Sequence, residues 1–112
     1  MRILSLEGFP GRAIGAHGSK GFTVGAFGLT ADAHLVVVRL EPGGVIGRHP
    51  AQGRQVLAVL VGEATVAGSY GEAVLIGPGQ AAVWEPYEEH ETRSEGGMTA
   101  LLVEGELEVA SS

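Results

Sequence analysis

Gly43-Gly44-Val45-Ile46-Gly47-Arg48-His49-Pro50-Ala51-Gln52-Gly53-Arg54-Gln55, followed by the apolar run Val56-Leu57-Ala58-Val59-Leu60-Val61 and then Gly62, decides how this chain folds. Just ahead of it stands Glu41-Pro42. Pro42 presets φ and Gly43 accepts a positive one, so Glu41 to Gly44 reads as a tight turn. A strand carrying His49 follows and stops at Pro50. A bend leads into a second strand opened by Gln55. Side chains alternate along a strand, so Gln55, Leu57, Val59 and Val61 share one face, and Val56, Ala58 and Leu60 share the other. His49 and Ala51 share a parity, and the bend lets Gln55 meet them in one interior.

The same grammar continues in both directions. Strand-like runs are read at Phe22 to Leu29 (broken by Gly25 and Gly28), Ala33 to Leu40, Val45 to His49, Gln55 to Val61, Ala64 to Ala67 and Ala73 to Ile76. Ala81 to Trp84, His90 to Ser94 and Thr99 to Glu104 follow, with Glu106 to Val109 as a last edge strand. Glycine or proline bounds nearly every run, and no segment reads as a helix. Short strands at this spacing imply an all-β sandwich or barrel. No linker or internal repeat divides the chain, so residues 1–112 are expected to form a single domain.

Composition narrows the function classes. The chain has 112 residues, 19 glycines, 45% hydrophobic residues and no cysteine. Disulfides and thiol catalysis are excluded. Thirteen acids against seven bases give a net charge of −6. The bases are scattered, which argues against nucleic acid and against an anionic membrane. No run approaches the roughly 20 apolar residues of a membrane span, and the first residues lack an export signal. The expected location is the cytoplasm. There is no Gly-x-Ser-x-Gly elbow and no phosphate loop, so serine hydrolysis and nucleotide cofactors have no support. Both faces of Gln55 to Val61 are apolar. One must line the interior. A second copy of the chain is the expected cover of the other, giving a homodimer, with N-terminal strands or loops as the alternative cover.

The spacing resembles the first motif of the cupin superfamily. Gly43, five residues, His49-x-Ala51, three residues, Gln55, six residues and Gly62 reproduce its frame. Ala51 stands where the family has a second histidine, and Gln55 where it has glutamate. A looser second motif is met by Gly71, the Pro78-Gly79 turn and His90, with Pro86 one place off and Ser94 where asparagine is usual. The likeness covers about residues 33–104. It implies an antiparallel double-stranded β-helix, or jelly-roll barrel. It also implies one divalent metal (Fe, Mn, Ni or Zn) held inside by the motif residues. Carried over by position, His49, Gln55 and His90 remain as metal ligands. Two neutral imidazoles and an amide leave the ion's charge uncompensated, so a metal here is weakly held. Trp84 walls the pocket, and Glu89 is placed beside it as a carboxylate.

Two functions follow from the resemblance. One is a metal-dependent oxygenase or isomerase of a small polar metabolite. The other is a metal-free binding or structural cupin whose polar pocket recognises a small-molecule ligand. The fold hosts many activities and does not choose between them. The remaining histidines have plainer readings. His17 sits in a glycine-rich loop facing solvent, and His34 is expected as a satisfied, partly buried side chain. Glu85, Glu88, Glu89 and Glu91 read most simply as a solvated acidic loop. Arg48, opposite His49 by parity, points away from the pocket.

Overall fold

A computed structural model describes residues 1–8, 11–25 and 28–110. Among the described residues the chain forms eleven strands and two three-residue 3₁₀ turns, at Leu6–Gly8 and Ala16–Gly18. The strands are β1 (Arg2–Ser5), β2 (Gly11–Ala13), β3 (Thr23–Gly25), β4 (Gly28–Leu40), β5 (Gly44–Pro50) and β6 (Arg54–Gly62). They continue as β7 (Ala64–Ala67), β8 (Ala73–Ile76), β9 (Gln80–Trp84), β10 (Glu89–Ser94) and β11 (Met98–Ala110). A five-stranded sheet in the order β1-β9-β6-β11-β4 faces a four-stranded sheet in the order β5-β10-β7-β8. All the pairings are antiparallel, as in a double-stranded β-helix. A separate hairpin joins β2 to β3.

The core lies between the two large sheets. Leu57, Val59, Ala82, Trp84, Met98 and Ala100 from one sheet meet Ala64, Val66 and Ile76 from the other. The alternation that puts Leu57 and Val59 inward therefore gives the barrel its interior. The turn before β5 closes as its residues require. The Gly44 amide donates to the Glu41 carbonyl at 2.7 Å, and Gly43 has φ +79.

Several strands differ from the sequence reading. Thr99–Glu104 and Glu106–Val109 are one strand, because β11 pairs with β4 along its whole length, from Met98↔Leu40 to Ala110↔Gly28. Gly105 (φ +147) lies against the β4 backbone, where a Cβ would meet the Asp32 carbonyl oxygen at 2.8 Å. The run from Phe22 to Leu29 is not one strand. Thr23–Gly25 pairs with β2 and Gly28 opens β4, while Ala26 and Phe27 lie outside the described residues. Val61 leaves the face of Gln55, Leu57 and Val59. Between Ala100↔Val59 and Thr99↔Val61 an extra residue, Leu60, forms a bulge, and strict alternation ends there.

The outer face of the five-stranded sheet is covered in part by the chain itself. Val56, Ala81 and Val83 are buried beneath Leu107, with Leu4 and Val109 packed against them. Leu35, Val37 and Val61 on the same face stay 63%, 56% and 65% exposed.

Candidate functional site

The polar residues of the interior gather at one end of the barrel. Their placement follows from register. Gln55 on β6 pairs with Trp84 on β9 and with Glu104 on β11, and Glu104 pairs in turn with His34 on β4. Side chains paired across antiparallel strands point to the same face, so one row crosses the sheet. On the opposing sheet His90 of β10 pairs with His49 of β5. The register then slips, and Thr92 pairs with Ile46. The additional residue of β5, at Gly47–Arg48, is a bulge that turns Ile46 and His49 to the same side although they are three apart. Both line a cavity of about 240 Å³ together with Gln55, Trp84, His90 and Glu104.

Trp84, His49 and Gln55 are each held by a hydrogen bond, and His90 by packing. The Trp84 indole Nε1 donates to the Ala67 carbonyl at 3.1 Å, fixing the ring as a wall. Its ring centroid lies 4.7 Å from that of His90, and the His49 and His90 centroids are 4.4 Å apart. His49 Nδ1 is 2.7 Å from the Gly47 carbonyl oxygen. A carbonyl only accepts, so Nδ1 carries the proton, and in the neutral ring Nε2 presents a lone pair. Gln55 is 3% exposed and donates its amide N–H to the Glu104 carboxylate. His90 is 4% exposed, and its Nε2 is buried without a hydrogen-bond partner. Burial, with the neighbouring His49 and the Arg48 charge adding to it, pushes the His90 imidazole down to about 4 against the pull of Glu88. Near neutral pH this ring is uncharged.

The cavity brings together His49, Gln55, His90 and Trp84 as the sequence led us to expect. Glu89 lies elsewhere. Alternation that turns His90 inward turns Glu89 outward, where its carboxylate accepts from Arg48 Nε at 3.2 Å. Arg48 also donates to the Gly68 carbonyl at 2.8 Å, so it is a surface brace facing away from His49. Ala51 is fully buried, and its amide and carbonyl bond to Glu88 and Tyr87 at 2.9 and 2.8 Å. The place of the missing histidine is thus held under the turn that follows β9. His34 is exposed instead of partly buried, since its end of β4 lies at the barrel mouth. His17 is exposed in its loop. Glu88 is not a solvated acid. Burial is the largest single influence and works to raise its carboxyl, but the hydrogen bond and charge of the Met1 ammonium at 2.8 Å, together with hydrogen bonds at Glu85 and Ser69, hold it below its ordinary value.

Glu104 is the residue that the sequence reading missed. It shares parity with Met98, Ala100 and Leu102, a charged residue in phase with a buried face. That signal was present. Its meaning depended on β11 lying between β6 and β4, which puts the carboxylate against Gln55.

Two imidazoles and one amide face the cavity, yet no group of three or more His, Cys, Asp or Glu among the described residues is arranged to hold an ion. The set is a partial one, short of a complete divalent centre.

Comparison with known proteins agrees with this architecture. The opposed antiparallel sheets and interior site define a double-stranded β-helix barrel with a polar cavity at one end. A cupin-domain family model matches residues 36–106, and the chain belongs to that family. A cupin superfamily protein from Desulfitobacterium hafniense is 13% identical, with a TM-score of 0.61, covering 70% of this chain and 75% of that one. An RmlC-like cupin with a double-stranded β-helix fold from Methanocaldococcus jannaschii is also 13% identical, with TM-score 0.61 and coverages of 65% and 69%. A conserved protein of unknown function from Streptococcus pyogenes is 23% identical, with TM-score 0.60 and coverages of 77% and 75%. At these identities the likeness is one of fold. No curated protein is a significant match. No helix among the described residues is long and apolar enough to cross a membrane.

Proposed function

We propose that this chain is a ligand-binding cupin whose interior cavity takes one small polar molecule between the His49–His90 pair, the Gln55–Glu104 pair and Trp84. The observation that carries the reading is His90 Nε2, buried with no partner inside a cavity of about 240 Å³. An unsatisfied buried polar atom costs about 1–3 kcal/mol, and a ligand that bonds to it recovers that cost. Lack of cysteine suits work in the reducing cytoplasm. A thermal-shift panel of small amines, carboxylates and polyols tests the reading. A true ligand at a hundred times its Kd raises Tm by about 10 °C, and His90→Leu removes the shift. A panel without any hit, or hits that survive His90→Leu and Gln55→Leu together, rejects it.

A second reading keeps a divalent ion, weakly held by His49 and His90 with the Gln55 amide oxygen. The same unpartnered imidazole nitrogen favours it. Elemental analysis of protein purified without a polyhistidine tag tests it. A bound ion that is lost in His49→Ala supports it, and metal content unchanged by that substitution ends it.

We further propose that a second copy covers Leu35, Val37 and Val61, the exposed apolar strip left on the outer sheet face. Sedimentation at micromolar concentration then gives a dimer. A pure monomer contradicts it.

A further inference from the structure

We infer that the interior cavity selects a small organic ammonium ion, with Glu104 as its counter-charge and Trp84 as the face against which the cation lies. The inference rests on the ligand-binding reading above and adds the class of ligand. Among the described residues lining the cavity, Glu104 is the one carboxylate, and neither lysine nor arginine is present. The carboxylate is engaged by the Gln55 amide, a neutral donor that leaves the negative charge in place. The other polar groups in the lining are neutral: the His49 and His90 rings and the Thr92 hydroxyl. His49 spends its Nδ1 proton on the Gly47 carbonyl at 2.7 Å, leaving Nε2 as a lone pair. His90 Nε2 is buried and free of any partner. The Trp84 N–H is already spent on Ala67, so the indole offers its π face and not its donor.

An ammonium group suits such a lining. Its N–H bonds match lone pairs, its charge matches Glu104, and its alkyl stem suits the Leu57, Leu102 and Trp84 walls. An anion of the same size would sit beside Glu104 with no cation in the lining to offset it, taking the desolvation cost without a direct partner.

A hollow that shares Glu104 with the cavity has the same sign. Glu104 is also part of the wall of an open hollow of about 630 Å³ that includes Asp32, His34 and Glu106. The cation in that hollow, Arg54, is occupied by Glu85 at 2.8 Å and by the Leu107 carbonyl at 2.5 Å. A cleft of one sign concentrates ligands of the other.

Trp84 is the single tryptophan of the chain, so its fluorescence reports the cavity directly. We would titrate it at pH 7 with n-butylamine, 1-butanol and butyrate, which share one skeleton and differ in charge. The expected result is saturable change with butylammonium at a Kd at least tenfold below that of butyrate. Glu104→Gln keeps a partner for Gln55, removes the charge and erases the preference, while Glu104→Asp retains it. Near-UV circular dichroism checks that each variant is folded. Equal or tighter binding of butyrate, or a preference that persists in Glu104→Gln, overturns the inference and leaves the pocket reading standing. If no probe of any charge moves Trp84 in a saturable way, the pocket reading fails, and this inference fails with it.

Discussion

The two ends of the barrel interior are built from the same strands to opposite effect. On β6, Leu57 and Val59 pack against Val66 and Ile76, while Gln55, two places earlier, reaches a carboxylate. On β11, Met98 and Ala100 are core, while Glu104 is in the cavity wall. On β10, the Ser94 hydroxyl donates to the Glu63 carbonyl at 2.7 Å near the closed end, while His90 at the open end has a nitrogen with no partner. Polar groups at the closed end are satisfied. At the open end one is left wanting. That difference separates scaffold from site, because buried polar atoms without partners are costly and rare where they serve no purpose.

Removing bulk at the closed end gives the largest expected effect. Ile76→Ala should cost about 2–5 kcal/mol in urea unfolding, through lost burial and a cavity beside Val66. A cost below 1 kcal/mol would mean that this end is not close-packed.

Acid should act at the open end. The unfolded His90 imidazole takes up a proton near 6.5, and the folded one not until about 4. Between those values the unfolded chain binds more protons, so stability falls as pH drops through the window and is fully present above it. The loss amounts to about 3 kcal/mol at most, from 1.36 kcal/mol per unit. His90→Leu should flatten this limb. At pH 7 it should cost little or even stabilise, since it removes an unsatisfied polar atom. An unchanged acid limb in His90→Leu would place the titration elsewhere.

These two ends were not equally legible in the sequence. Alternation along Gln55 to Val59, glycine-bounded runs and the Pro42-Gly43 turn were sufficient for the barrel and its core. The spacing from Gly43 to Gly62, with His90, was sufficient to bring His49, Gln55 and His90 together. Two bulges were hidden, at Leu60 and at Gly47–Arg48, because an extra residue has no signature in hydrophobic pattern. Glu104 was hidden for a different reason. Its parity could be read, but its neighbours depend on strand order, which pairs residues 49 positions apart. Glu89 was misjudged through proximity to His90 in sequence, where adjacent residues face opposite ways.

Gly105 marks where the barrel ends and the β4–β11 ribbon continues alone. Gly105→Ala should cost about 1–3 kcal/mol, from its positive φ and from crowding against β4. Trp84 fluorescence in the folded state should stay unchanged, which would assign the damage to the ribbon. The smallest effect is expected on the exposed outer strip. Val37→Lys should alter stability of the isolated chain by no more than about 0.5 kcal/mol, while turning a dimer into a monomer in sedimentation. A dimer that survives the lysine would put the contact on another surface.

The convergence of the rings can be read directly by proton NMR of the folded protein near pH 7. Ring centroids at 4.4 Å for His49–His90 and 4.7 Å for Trp84–His90 require strong cross-relaxation from His90 ring protons to both partners. The account predicts both sets of cross-peaks, with nitrogen shifts showing a neutral His90. A His90 ring without contact to His49 or Trp84, titrating near 6.5 like a free imidazole, would contradict it.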